Sequence, residues 1–236
     1  MHPVTVLAPA KLTVSLRITG VRDDGLHLID AEMVTIDLVD DLLFTEGDGL
    51  EVLGATGLPV TSDDDNLVRR ALRLVNRRAH VQLTKRIPAG AGLGGGSADA
   101  AAVLRWAGVD DLQLAAQLGA DVPFCVRGGR ARVGGVGEVV EPLPYRDRTY
   151  TLVTPPFGCS TPAVFQAWDD LGGPRGSGPN DLEPAALAVE PQLAEWRDRL
   201  AEATGATPVL AGSGSTWFVP GRFPEAGTVV STTEAW

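Results

Sequence analysis

Cysteine is scarce in this chain: Cys125 and Cys159 are the only two in 236 residues. With no CxxC spacing between them, a disulfide framework and a thiolate metal site are both excluded, and buried, reduced thiols are expected. Positive charge is also short. Twenty Lys and Arg stand against 30 Asp and Glu, a formal net charge of −10, the wrong sign for a nucleic-acid surface. No run approaches the roughly 20 uninterrupted apolar residues that a membrane span needs. The first 20 residues carry Lys11 and Arg17 where a signal peptide would be apolar, so a cytoplasmic chain is expected. A small phosphorylated ligand stays compatible with an acidic protein, because backbone N–H groups, one lysine and a metal ion suffice to hold it.

The 44% apolar content can fill a real core. Short alternating runs predict strands at Val4 to Ala8, Leu12 to Ile18, Glu32 to Leu38 and Leu42 to Glu46, with Asp23-Asp24-Gly25 as a turn. Asp63 to Asn66 opens an amphipathic helix through Leu67, Ala71, Leu74 and Val75. A strand at Val81 to Lys85 leads through a glycine-rich run into an alanine-rich helix ending near Trp106. A short helix near Asp111 to Leu118 and a glycine-punctuated hairpin over Gly128 to Gly137 follow. Composition changes near Pro142 to Arg148. Beyond it come a strand at Tyr150 to Thr154, a helix started by Ser160, Thr161 and Pro162, helices near Leu182 to Leu187 and Gln192 to Ala203, and strands near Pro208 to Ala211 and Thr216 to Val219. Gly172 to Gly178 reads as a flexible surface loop. The order fits a two-domain α+β protein with domains 1–147 and 148–236.

Pro88-Ala89-Gly90-Ala91-Gly92-Leu93-Gly94-Gly95-Gly96-Ser97-Ala98 places five glycines within seven positions directly before a helix. Lacking Cβ atoms, such a backbone can take positive φ and approach a ligand closely. The free N–H groups of the first helical turn then meet an anion at the positive end of the helix dipole. Ser97 sits where its hydroxyl can cap the helix or reach a Mg²⁺ bridging two phosphates. Gly90, Gly92 and Gly95 also satisfy GxGxxG with Asp110 and Asp111 downstream, so a dinucleotide fold is formally allowed. Against it stand Pro88, the mid-chain position and the absence of an opening β-α-β unit. A Walker A loop is excluded because no lysine follows the glycines. A plain flexible loop is the remaining alternative.

By themselves Lys11, in Pro9-Ala10-Lys11-Leu12-Thr13, and Asp121, after Gly119-Ala120, read as a solvated strand end and a turn or helix cap. In combination with the glycine run they resemble the GHMP kinase superfamily, and within it the kinases of non-mevalonate isoprenoid synthesis that act on a cytidine-diphosphate-linked methylerythritol. The stretches carrying the resemblance are Pro9 to Leu16, Thr19 to Asp30, Ile87 to Ala101, Leu118 to Phe124 with Gly134 to Pro142, Pro155 to Thr161, Pro179 to Pro184 and Gly212 to Thr216, in the family's order.

The resemblance implies a ribosomal protein S5 domain 2-like N-terminal domain, which binds ATP and carries the catalytic residues, and a truncated ferredoxin-like C-terminal domain. It implies a catalytic Lys11 and Asp121 at the acceptor hydroxyl, residues 88–98 as the ATP phosphate loop with Mg²⁺ as cofactor, and Ser97 as a metal-facing hydroxyl. On the acceptor side it assigns His27 to the cytosine edge and Phe157 to a stacking ring, with Leu26 and Thr13 beside them. Two of these positions depart from the family pattern. Leu26 replaces a stacking tyrosine, and Thr13 replaces an asparagine and keeps one hydrogen-bonding group. The segment after Val219 is also short for a closing helix. These differences keep two alternatives open, a kinase for another small alcohol or sugar and a nucleotide-binding pseudoenzyme. The expected partner is a small molecule, not a nucleic acid or a membrane, with the oligomeric state left open.

Overall fold

The computed structural model describes residues 2–54, 59–176 and 178–236. Two long strands, β1 (Val4–Val21) and β2 (His27–Thr45), form an antiparallel hairpin that organises the first sheet. Its turn passes through Gly25 at φ 82°. On the far edge of β2, β4 (His80–Thr84) pairs with residues 41–45 and β5 (Arg130–Gly135) with 29–34. The edges are completed by β3 (Gly49–Leu53), parallel to β4, and β6 (Val139–Pro142), antiparallel to β5.

The first four predicted strands are two continuous ones. Pro9 has no N–H to give the ladder, yet β1 is not broken there: the register shifts between Pro9 and Lys11, with the extra residues, 36–38, carried by β2. In β2 the polar pair Asp40-Asp41 looks like a break. Asp40 is instead buried and accepts from the N–H groups of Arg86 and Ile87, a partnership no local pattern reveals.

Helices α1 (Leu67–Leu74), α2 (Gly95–Trp106), α3 (Leu112–Ala116) and α4 (Val122–Arg127) accompany this sheet. The Asn66 side chain caps α1 and Asp111 caps α3. Helix α2 is buried almost all round, through Ala98, Ala100, Ala101, Ala102, Val103 and Leu104. That is why its outer positions are alanine: the small side chain lets α2 pack on several elements at once. Trp106 closes its end by stacking on Phe44 at 4.5 Å. Helix α4 was not among the expected helices; it starts at Asp121, which reads as a turn or helix cap and holds the N-cap position, and Pro123 is accommodated in its first turn.

The second sheet holds β7 (Thr149–Val153), β8 (Val209–Leu210), β9 (Trp217–Pro220) and β10 (Thr228–Ser231) in the antiparallel order β10-β7-β9-β8. It carries α5 (Thr161–Asp170), α6 (Glu183–Val189) and α7 (Leu193–Thr204). Ser160 caps α5, with Pro162 in the first turn. Of the segment 172–178, Gly172 and Gly173 take positive φ after α5 and Pro174 accepts a hydrogen bond from Trp168 Nε1 at 2.9 Å; Ser177 lies outside the described residues. Among the described residues no helix follows β9. After β10 the chain returns to the first sheet, Thr233 N–H donating to Thr35 O at 3.0 Å.

The two sheets are joined at β1. Leu16 exchanges backbone hydrogen bonds with Pro179 O and Asp181 N at 2.8 and 2.9 Å, and Arg17 pairs with buried Asp181 at 2.6 Å. Asn180, also buried, donates to Leu210 O and Gly212 O and accepts from Leu182 N. Both of its amide N–H groups and its carboxamide oxygen are engaged at this junction.

Candidate active site

Lys11 follows the register shift beside Pro9. The Lys11 N–H leaves the β ladder and donates to Leu93 O at 3.0 Å, inside the glycine-rich run. The Lys11 side chain is buried; its Nζ donates to Thr13 Oγ1 at 3.0 Å and lies 3.3 Å from Asp121 Oδ2. Asp121 holds the N-cap position of α4 but makes no capping hydrogen bond. Its carboxylate is therefore free to face the cleft, where its side chain keeps 31% exposure.

The glycine-rich run passes between the two sheets. Leu93 O accepts from β1, Ala91 O from Thr216 N at 3.1 Å, and Gly90 O from Cys159 N at 3.2 Å. Gly90, Gly92 and Gly94 all have φ near +70°. A Cβ on Gly92 would lie 2.3 Å from Ala211 O, and one on Gly94 would lie 2.8 Å from Lys11 Cγ. Glycine is required at both, on steric and on conformational grounds. Helix α2 begins at Gly95 with Gly94 as N-cap and no side-chain cap. Ser97 is thus not the cap; it is the third helical residue, with its side chain at the cleft. The uncapped first-turn N–H groups remain available to an anion.

Beneath this turn lies a buried charge cluster that sequence reasoning missed. Lys85 Nζ pairs with Asp40 Oδ2 and, at 2.8 Å, with Asp99 Oδ2. Burial pushes the Lys85 ammonium down, but Asp99 and Asp40 outweigh it and the net shift is upward. Burial likewise pushes Asp99 up, and Asp40 adds to this while Lys85 opposes it, leaving Asp99 at about 7. An acid inside an alanine-rich helix was the available signal, since it can be buried only with a partner.

Lys11, Asp121, the glycine run and residues Leu26, His27, Phe165, Gln166 and Asp169 line one cleft of about 930 Å³. His27 packs against Phe165 at 4.7 Å and edge-on to Trp168 at 5.5 Å between ring centroids, and its Nε2 is 2.8 Å from Asp169 Oδ1. Leu26 is half exposed at the cleft. Thr13 also lines it, held by Lys11. Phe157 does not belong to this lining. Its ring packs partly buried against the core and its carbonyl accepts from Ser215 Oγ at 2.6 Å. The aromatic ring that lines the cleft beside His27 is Phe165, eight residues further on. Thr161, Phe165 and Asp169 recur every four residues, so the sequence puts them on one face of α5, but nothing local says that this face meets the cleft.

Among the described residues no group of three or more His, Cys, Asp or Glu side chains could hold a metal ion. Ser97 and Asp121 supply isolated oxygens at the cleft, a donor set that suits a Mg²⁺ held mainly by phosphates and water, not a resident metal centre.

Residues 66–129 match the model of the GHMP kinases N terminal domain. The chain is 39% identical to the 4-diphosphocytidyl-2-C-methyl-D-erythritol kinase of Paracoccus denitrificans, over 89% of this chain and 84% of that one. It is 37% identical to the same-named enzyme of Ruegeria pomeroyi, over 95% and 90% of the two chains. A crystal structure of 4-(cytidine 5'-diphospho)-2C-methyl-D-erythritol kinase superposes with a TM-score of 0.74 at 30% identity, covering 97% of this chain and 98% of that one. With likeness over nearly the whole length in both sequence and fold, the chain belongs to the 4-diphosphocytidyl-2-C-methyl-D-erythritol kinase family of the GHMP kinases.

Proposed function

We propose that this protein transfers the γ-phosphoryl group of ATP to the 2-hydroxyl of 4-diphosphocytidyl-2-C-methyl-D-erythritol, a step in non-mevalonate isoprenoid precursor synthesis. The observation that carries the reading is the Lys11–Asp121 pair at 3.3 Å, set in one cleft between the glycine-rich run and the His27–Phe165 pocket. The kinases it resembles bear that substrate in their name.

In this reading residues 1–147 hold the nucleotide and both catalytic groups. The run 88–98 receives the ATP phosphates on its free N–H groups and on the positive end of α2. Asp121 orients the acceptor hydroxyl and takes its proton as the phosphorus–oxygen bond forms, while Lys11, paired with Asp121, offsets charge on the transferred group. A loose phosphoryl-transfer transition state asks more for positioning than for basicity, and the burial of Lys11 against Thr13 supplies that positioning. Mg²⁺ bound with ATP would neutralise phosphate charge, and the Ser97 hydroxyl would be a side-chain oxygen to meet it. On the acceptor side, residues 148–236 contribute the face of α5. Phe165 takes the stacking role that the resemblance gave to Phe157, and Asp169 fixes the His27 ring so that its other nitrogen faces the base. Leu26 supplies apolar contact only.

Purified protein with ATP, Mg²⁺ and the cytidine-linked substrate is expected to release ADP in step with substrate consumption. Asp121→Ala should lower kcat by about 10²–10⁴-fold, the usual worth of a positioned acid–base group, while nucleotide binding persists. Full turnover by that variant, or equal turnover with unrelated alcohols, would sink the reading.

A further inference from the structure

Arg105 lies in the last turn of α2, at the opposite end of that helix from the glycine run. It donates from Nη1 to Cys125 O at 2.7 Å and from Nη2 to Leu7 O at 2.6 Å. Cys125 N–H in turn donates to Asp121 O at 3.1 Å, one turn back along α4. Leu7 lies on β1 four residues before Lys11. One guanidinium therefore bonds, from behind the cleft, to both elements that carry the Lys11–Asp121 pair, and it grows from the helix whose first turn forms the phosphate cradle.

The group is held in place by the segment that follows β10. The Trp236 ring covers the guanidinium at 4.2 Å, and its Nε1 donates to Val126 O at 2.7 Å, next to Cys125. Ala235 bridges to Gly128, where a Cβ would meet the Trp236 ring at 2.8 Å. Among the described residues no carboxylate pairs with Arg105. Burial lowers its pKa to about 10, which leaves it charged at neutral pH. A partly buried cation bonded only to two carbonyls and an aromatic face is costly to keep, and a helix–helix contact made by apolar side chains would hold these elements as firmly. Its planar fork does what apolar contacts cannot, fixing the spacing of two backbones from a third.

We infer that Arg105 is a positioning residue for phosphoryl transfer, setting the spacing of Lys11, Asp121 and the glycine-rich run, with Trp236 as its cover. The inference rests on the kinase reading for what the spacing achieves.

The test compares Arg105→Ala, Arg105→Lys and Trp236→Ala with the unaltered protein. Turnover is expressed per folded site, alongside amide hydrogen exchange of the segments 9–12, 119–127 and 149–153. Misplacing reacting groups by about 1 Å costs on the order of a hundredfold in rate. For Arg105→Ala, kcat is therefore expected to fall by about ten- to a hundredfold with little change in KM for ATP, and exchange should quicken at 9–12 and 119–127 but not at 149–153. Millimolar guanidinium should restore part of both losses by occupying the vacated site. Arg105→Lys, whose single ammonium cannot span both carbonyls, should behave like Arg105→Ala, and it carries the test if the alanine variant fails to fold. Trp236→Ala should show the same pattern more weakly. Wild-type kcat per folded site in the Arg105 variants, or unaltered exchange at both segments, overturns the inference. If the unaltered protein turns over no substrate, the kinase reading falls, and the exchange and guanidinium results still decide whether Arg105 sets this spacing.

Discussion

Lys11 lies where the register of β1 against β2 shifts beside Pro9, with its N–H bonded to Leu93 O and its Nζ 3.3 Å from Asp121. At the same scale, Lys85 keeps two buried carboxylates tolerable. Lys85→Met would leave Asp40 and Asp99 facing each other without a cation, and breaking such buried pairs costs about 3–5 kcal/mol. Urea unfolding should report a loss of that size. The cysteines offer a check on burial. Burial pushes Cys125 up to about 12 and Cys159 up to about 11. At pH 7 to 8 both are therefore protonated and poor nucleophiles. A thiol reagent should label neither in the native protein, and both once the chain is unfolded in denaturant.

At the scale of elements, the glycine-rich run is defined by what surrounds it. Gly92→Ala puts a methyl 2.3 Å from Ala211 O in a residue held at φ 76°. The left-handed conformation alone costs about 1–2 kcal/mol for a non-glycine residue, and the loop must also part from the second sheet. Titration with a non-hydrolysable ATP analogue should show weakened binding together with a lowered melting temperature. The run and the helix after it were legible in the sequence because a glycine cluster before an alanine-rich stretch has few other physical meanings. Helices α1 and α5 were legible through the caps Asn66 and Ser160. Helix α4 was not, since six residues are too few to show a period and its boundary looks like a turn. The continuity of β1 and β2 was hidden for a different reason: Pro9 and Asp40 are local break signals that only distant partners cancel. Phe165 was overlooked in favour of Phe157 because the face of α5 that meets the cleft depends on how the second sheet docks, which lies outside local sequence.

Across the whole molecule, the junction between sheets is polar and specific. Leu16, Arg17, Asn180 and Asp181 tie β1 to the entry of α6, the glycine run bonds to Cys159 and Thr216, and Thr233 returns to Thr35. Neither sheet can open without breaking bonds that hold the other. Heat or urea should therefore unfold the protein in a single transition, with far-UV and near-UV circular dichroism coinciding. Two separated transitions would show that the sheets are energetically independent.

The path of residues 88–98 between the two sheets also bears on how the substrates sense each other. In the proposed reading the nucleotide meets one face of that strip, whose carbonyls accept from the N–H groups of Lys11, Cys159 and Thr216. Whatever stiffens the strip from one side would spare the other ligand that ordering cost, so on the proposed reading ATP and the cytidine-linked alcohol are expected to be thermodynamically linked. By reciprocity each tightens the other by the same factor.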